Sequence, residues 1–300
     1  WRVALATLGI LCILSAIGFL MLLPRSRNFV PQPGLSLQFH LRAWGDHLRN
    51  RLAKFLAERE FFTPVFERVQ PEEVLIASSH WWAGIAAAAS RSGARVSDIQ
   101  YALTSHYAPS FWFGQKPRYG ATRFYAWSDF WAERTNVYDE HVVVPRQQPE
   151  LTAAIEAPST EEKRWDVCVI SQPRVLRRIL AFVQELVRER PELRVVIAPH
   201  PAQRTIIVRE LAAAGLEEAV DIAEEDTLTT ITRSAMAVGT FSTSLWESAA
   251  LGCPTFVIPV PGHEETLQDV ESGLFRLART PHDLVPYEVP ASRHDIFGTA

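Results

Sequence analysis

The sequence predicts an α/β chain made of two successive Rossmann-like units that face a cleft, preceded by an apolar N-terminal helix. Three observations carry this expectation. Short apolar runs alternate with amphipathic helical stretches, the rhythm of strand–helix–strand crossovers in a parallel sheet. The rhythm stops over a polar, proline-bearing stretch at 148–163 and then restarts. Residues 3–23 form an apolar run without a single charge.

That first run, Val3–Leu23, has 21 residues, which at about 1.5 Å each reach ~31 Å, the thickness of a bilayer core. Arg2 lies before it and Arg25 and Arg27 follow it. The arginine excess on the C-terminal side orients the remaining chain toward the cytoplasm. Residues 1–36 are thus read as a membrane helix and linker, and the protein as attached to the cytoplasmic side of the plasma membrane. From Leu37 to Arg68 the pattern is helical, with Leu41, Trp44, Leu48, Leu52, Phe55 and Leu56 three or four apart. Arg42, Arg49, Arg51 and Lys54 make the other face basic, a composition that suits an anionic membrane surface.

The first unit, 37–147, continues with a strand in "EEVLIASS", a helix in "WWAGIAAAASRSG" capped at Gly93, a strand in "ARVSDIQ", and a strand leading into a helix in "RFYAWSDFWAERT". After the 148–163 linker, the second unit, 164–300, opens with the strand "WDVCVIS" and the helix "RVLRRILAFVQELVRERP". The strand "LRVVIAPHP", a helix to Gly215, the strand "AVDIA" and the helix "TLTTITRS" follow. The strand "MAVGT", the helix "SLWESAALG", the strand "PTFVIPV" and the helix "HEETLQDVESG" complete it.

Composition narrows the function. Apolar residues make up 47% and charged residues 21% of the chain, with a net charge of −4, so bulk charge gives no hint of nucleic-acid binding and no nucleic-acid partner is expected. Cys12, Cys168 and Cys253 are scattered without ligand spacing, which argues against a disulfide framework or a zinc site and for a reducing compartment. No P-loop, GxGxxG or GxSxG element is present.

In open parallel sheets ligands sit beyond the carboxyl ends of the strands, and the polar residues of interest fall there. His200 follows a strand directly and lies between Pro199 and Pro201, which restrict its backbone. Arg204 follows four residues on, placed for a bidentate phosphate contact. Gly239 ends another strand, and Thr240, Ser242, Thr243 and Ser244 lie where the next helix starts. Helix N–H groups and small hydroxyls at such a turn suit a phosphate. Simple capping is the competing reading, since Glu247 stands three residues after Ser244 in a capping-box spacing. His263, Glu264 and Glu265 are consecutive, so they point apart, and no metal is expected.

In the first unit the aromatic run "HYAPSFWFGQKPRYG" follows a strand end and suits a sugar or lipid-linked acceptor. His106 within it, or Asp98 on the preceding strand, is the candidate base for an acceptor hydroxyl. Gln100 and Tyr101 fall on the same acceptor side.

"IAPHP", "GTFSTSLWESAALGCPTFVIPVPG" and "SDIQ", in their positions along the chain, resemble GT-B glycosyltransferases of bacterial capsule and surface-polysaccharide synthesis, of the polysialyltransferase-like and CDP-glycerol glycerophosphotransferase-like type. The resemblance implies that His200, Ser242, Thr243 and Ser244 bind the donor phosphate and that Glu247 lies near the ribose. It implies transfer of a sugar or polyol phosphate from a nucleotide-activated donor, as co-substrate with no other cofactor, to a glycan or lipid-linked acceptor. Two departures stand out: Gln100-Tyr101-Ala102 replaces the QHG common in such proteins, and Ala202-Gln203 replaces an acidic residue after the HP pair. A UDP-sugar 2-epimerase-like enzyme of the same architecture, and a degenerate domain acting as a scaffold in polysaccharide assembly, are the alternatives.

Overall fold

The computed structural model describes residues 37–79, 81–104, 120–135, 138–146, 148–156, 162–200, 203–290 and 295–298. The apolar run Val3–Leu23, His80 and His106 lie outside them. The chain divides into two compact units, residues 1–54 and 55–300. Of the first, residues 37–54 are described, and they form the start of helix α1 (Leu37–Val69). No helix among the described residues is long and apolar enough to cross a membrane.

The second unit holds two fully parallel sheets. The first has strands β1 (Glu73–Ile76), β2 (Arg95–Ile99), β3 (Arg123–Ala126) and β4 (Glu140–Val143) in sequential order. Helix α2 (Ala83–Arg91) crosses from β1 to β2, and the short α3 (Asp129–Ala132) follows β3. Ile76, Val96, Phe124 and Ala126 are buried and share a core with Ala86 and Ala89 of α2. Gly84 lets α2 approach the C-terminal half of α1 closely, since a Cβ there would stand 2.3 Å from the Phe55 carbonyl oxygen and 2.6 Å from Glu58 Cβ.

The second sheet has strands β5 (Trp165–Ile170), β6 (Val195–Ala198), β7 (Val220–Ile222), β8 (Ser234–Gly239), β9 (Thr255–Val257) and β10 (Arg276–Leu277). Their spatial order is β10-β9-β8-β5-β6-β7. The chain runs outward from β5 through β6 to β7, then returns to the other side of β5 as β8 and continues to β10. The sheet therefore changes direction between β5 and β8, where doubly wound sheets open a crevice. Helices α5 (Leu176–Glu189), α6 (Arg204–Ala214), α7 (Thr227–Thr232), α8 (Thr243–Ala250) and α9 (Leu267–Glu271) join the strands. In α5, Leu176, Ile179, Leu180, Val183 and Leu186 are buried at spacings of one or three, the stripe its helical period predicts.

Three differences from the sequence reading have physical causes. The stretch read as a linker carries helix α4 (Pro149–Glu156), whose Leu151 and Ile155 are buried, because two apolar residues four apart suffice for one helical face. Strand β4 escaped detection because only one of its four residues is even half-buried. The helix expected from His263 is a 3-10 turn (His263–Thr266) before α9.

The two sheets share a core. Trp131 of α3 and Trp246 of α8 are fully buried with ring centroids 5.4 Å apart. Phe297, near the C-terminus, packs at 5.8 Å from Trp127 and 6.2 Å from Trp131. The Ser128 hydroxyl donates to the Ile296 carbonyl at 2.9 Å. A buried ion pair joins Arg134, after α3, to Asp269 on α9.

Candidate functional site

The turn after β6 is fixed by a closed polar ring. The His200 N–H donates to Ser171 Oγ at 2.7 Å, Ser171 Oγ donates to Gln203 Oε1 at 3.1 Å, and the Gln203 N–H donates back to the His200 carbonyl at 2.7 Å. Ser171 and Gln203 are buried. The ring anchors the His200 backbone to the end of the neighbouring central strand while the residue itself stays exposed. Ser171 and Gln203 were missed from sequence. The signal was available for Ser171, which ends "WDVCVIS" and so follows a strand as His200 does.

On the other side of β5, Gly239 ends β8 against Ile170: a Cβ at Gly239 would stand 3.2 Å from Ile170 Cβ and from Leu245 Cδ2. Thr240 follows, fully buried, and its Oγ1 has no hydrogen-bond partner among the described residues. A buried hydroxyl without a partner forfeits about 1–3 kcal/mol of solvation, a cost that proteins tolerate mainly where a ligand or water completes the bond. Ser242 is the N-cap of α8, but its hydroxyl accepts from the Ser244 N–H at 3.4 Å, a long bond. Asp226, capping α7, accepts from the Thr229 N–H at 2.9 Å and from the Thr229 hydroxyl at 2.7 Å. Capping therefore explains Asp226 fully and Ser242 only weakly. Thr243 and Ser244, both half-buried, form the first turn of α8.

The structure thus places His200 and the Thr240–Ser244 turn at the ends of β6 and β8, on the two strands that flank β5. Arg204 is exposed at the start of α6, where its Nη1 donates to the Glu224 carbonyl at 3.3 Å. Glu247 is buried one turn into α8 and accepts from Arg146 Nη1 at 2.8 Å. Arg146, just past β4, lies over the Trp127 ring at 4.8 Å and the Phe297 ring at 5.2 Å. No sequence signal pointed to this cation.

On the first sheet, Asp98 is buried and heavily engaged. Its Oδ1 accepts from the Ser79 N–H at 3.0 Å, and its Oδ2 accepts from the Ser79 hydroxyl at 2.5 Å and the Tyr138 hydroxyl at 3.0 Å. Burial, and then the Asp98 charge, push the Tyr138 phenol far above its ordinary value, so it stays a donor to Asp98. This is the chemistry of a carboxylate that ties β2 to two loops. Gln100 is buried too: its Oε1 accepts from the Trp127 N–H at 2.9 Å and its Nε2 donates to the Ala102 carbonyl at 3.1 Å. Tyr101 is exposed.

The Gly262 turn folds onto the Thr240–Ser244 stretch, and a Cβ there would stand 2.4 Å from the Phe241 ring. Glu264 accepts from the Gly262 N–H at 2.7 Å, and His263 Nδ1 lies 3.0 Å from the Val260 carbonyl. These side chains serve the turn. Among the described residues no group of three or more His, Cys, Asp or Glu gathers as a metal site.

No protein-family model and no curated protein matches this chain. Solved structures do. Staphylococcus aureus MnaA, determined with UDP, aligns over 76% of this chain and 69% of its own at 15% identity, with a TM-score of 0.50. The Methanocaldococcus jannaschii UDP-GlcNAc 2-epimerase in complex with UDP-GlcNAc and UDP covers 76% and 70% at 12% identity and a TM-score of 0.48. Acinetobacter baumannii MurG covers 77% and 66% at 11% identity and a TM-score of 0.48. At these identities the likeness is one of architecture alone, a mixed α/β chain with parallel sheets.

Proposed function

We propose that the protein binds a nucleotide-activated sugar at the carboxyl ends of β5, β6 and β8 and transfers the sugar, or a polyol phosphate, to a surface-polysaccharide acceptor. The observation that carries this reading is the unpartnered, buried Thr240 hydroxyl beside the weakly capped N-terminus of α8, with His200 on the strand end beyond β5. A buried hydroxyl without a partner of its own, beside the N–H groups of a helix start, suits a phosphate. The GT-B-type architecture supports the same reading, since the MnaA structure contains UDP.

For sugar transfer, the acceptor oxygen forms a bond to the anomeric carbon as the carbon–oxygen bond to phosphate breaks. The electron pair of that bond leaves with the nucleotide. His200, the α8 N–H groups and the hydroxyls of Thr240, Ser242, Thr243 and Ser244 stabilise the charge that collects on the departing phosphate. His106 takes the acceptor proton in this reading, because Asp98 is committed to Ser79 and Tyr138. The acceptor is a glycan or lipid-linked glycan, and the protein works at the cytoplasmic membrane surface.

Calorimetric titration with UDP, CDP and CMP tests the donor site. A charge-assisted hydrogen bond is worth about 1.5–3 kcal/mol, so His200→Ala and Ser242→Ala should each weaken binding roughly ten- to a hundred-fold. The double variant should lose less than the sum if both hold one phosphate. Nucleotide binding with turnover that needs no acceptor would identify the 2-epimerase-like alternative. Absence of binding to any of the three would leave a scaffold.

A further inference from the structure

Parallel sheets are ordinarily covered on both faces. In the first sheet α2 covers the face of Ile76, Val96 and Phe124, and the alternate residues occupy the other face. That other face has two zones. At the amino ends, Glu73 accepts from the Ser97 hydroxyl at 2.5 Å and pairs with Arg123 at 3.3 Å, and Arg123 pairs with Glu140 at 2.8 Å. The charges there satisfy one another. At the carboxyl ends the same face turns apolar, and Leu75 and Ile99 remain 53% and 38% exposed. A pocket of about 440 Å³ opens over them, walled by Tyr125, Trp127, Val144 and Arg146.

That volume lies within the range of small-molecule sites. The polar groups of the wall are largely spent: Gln100 uses both ends of its amide, and the Tyr125 hydroxyl faces Glu73 at 3.2 Å. A sugar or nucleotide would find few partners on this floor. The exception is Arg146, half-buried in the wall. Its Nη1 is held by Glu247, while its Nε and Nη2 carry no hydrogen bond among the described residues. An apolar lining with one guanidinium in its wall matches an anionic amphiphile.

We propose that this pocket binds an alkyl or prenyl phosphate, with the chain on Leu75, Ile99 and Val144 and the phosphate at Arg146. The bound head group would then lie one side chain from α8, through the Arg146–Glu247 pair. Identifying this ligand as the lipid-linked acceptor rests on the transferase reading above; the chemistry of the pocket does not.

Octyl phosphate, hexyl phosphate and octanol are the probes, titrated calorimetrically into the full chain. Each methylene moved from water into an apolar site multiplies affinity about fourfold, so octyl phosphate, two methylenes longer, should bind roughly fifteenfold tighter than hexyl phosphate. Leu75→Gln and Ile99→Gln alter exposed side chains and should each weaken octyl phosphate several-fold while leaving UDP affinity unchanged. Octyl phosphate should also outbind octanol, and Arg146→Gln should erase that preference. Equal affinity for hexyl and octyl phosphate, no loss in either glutamine variant, or octanol binding as tightly as octyl phosphate would each overturn the proposal. UDP binding without amphiphile binding sinks this site alone; the reverse sinks the nucleotide reading alone.

Discussion

Arg134 and Asp269 form a pair whose energetics depend on both partners. They lie 135 residues apart in sequence, and both are almost fully buried. Burial holds the Asp269 carboxyl above its ordinary range despite the arginine beside it, and lowers the Arg134 guanidinium in the same way. Such a pair gains little over a well-packed apolar pair, but removing one member strands a buried charge at a cost of about 3–5 kcal/mol. Arg134→Leu should therefore lower stability by that order in urea denaturation, and adding Asp269→Leu should restore most of the loss. A double variant no better than the single would show that the pair is not the source. Asp166 behaves in the opposite sense. Hydrogen bonds from Arg194 hold its carboxyl below its ordinary value. Its contribution is present above the ordinary carboxylate pKa and fades as pH falls through the lower folded value. The stability gap between the parent and Asp166→Asn should accordingly shrink as pH falls below the ordinary carboxylate pKa, followed by urea midpoints. A gap constant over that range would contradict the assignment.

At the scale of single elements, caps and tight turns separate structural from functional roles. Asp226 makes two good bonds to Thr229, so Asp226→Ala should cost about 1 kcal/mol of stability. Ser242 makes one bond of 3.4 Å, so Ser242→Ala should cost clearly less. Thermal unfolding of the two variants decides the point, and an equal loss would mean that Ser242 is simply a cap. Gly262 has φ of +102°, and an added Cβ would meet the Phe241 ring at 2.4 Å. Gly262→Ala should thus cost about 1–3 kcal/mol and displace the turn beside the Thr240–Ser244 stretch. Most elements were legible because their signals are local. The stripe of α5, the apolar runs of β5, β6 and β8, and the hydroxyls opening α8 can each be read within a dozen residues. What failed was non-local or weakly patterned. Exposed β4 has only Val142 and Val143 as apolar residues beside Glu140 and His141, and α4 looks like linker until Leu151 and Ile155 find a core. The partners of Asp98 and Glu247 sit 19 to 101 residues away, so no spacing rule could reveal that these carboxylates were already held.

Across the second unit, the two sheets share one core. A hinge between halves needs an interface that can part cheaply. Here the contact between α3 and α8 is made by two fully buried tryptophans, Trp131 and Trp246, with Phe275 5.2 Å beyond Trp246 and Phe297 returning from the C-terminus to close the cluster. The Arg134–Asp269 pair and the Arg146–Glu247 pair stand in the same contact region. Truncating a buried tryptophan costs about 3–5 kcal/mol, and in a shared core that loss falls on both sheets together. Trp131→Ala and Trp246→Ala should each lower the melting temperature of one common transition. Pulsed hydrogen exchange read separately over β1–β3 and over β5–β8 should show both sets of strands destabilised alike by either substitution. If Trp131→Ala instead splits the calorimetric endotherm, with the β5–β8 strands keeping their parental protection, the two sheets are independent folding units and the aromatic cluster is only their point of contact.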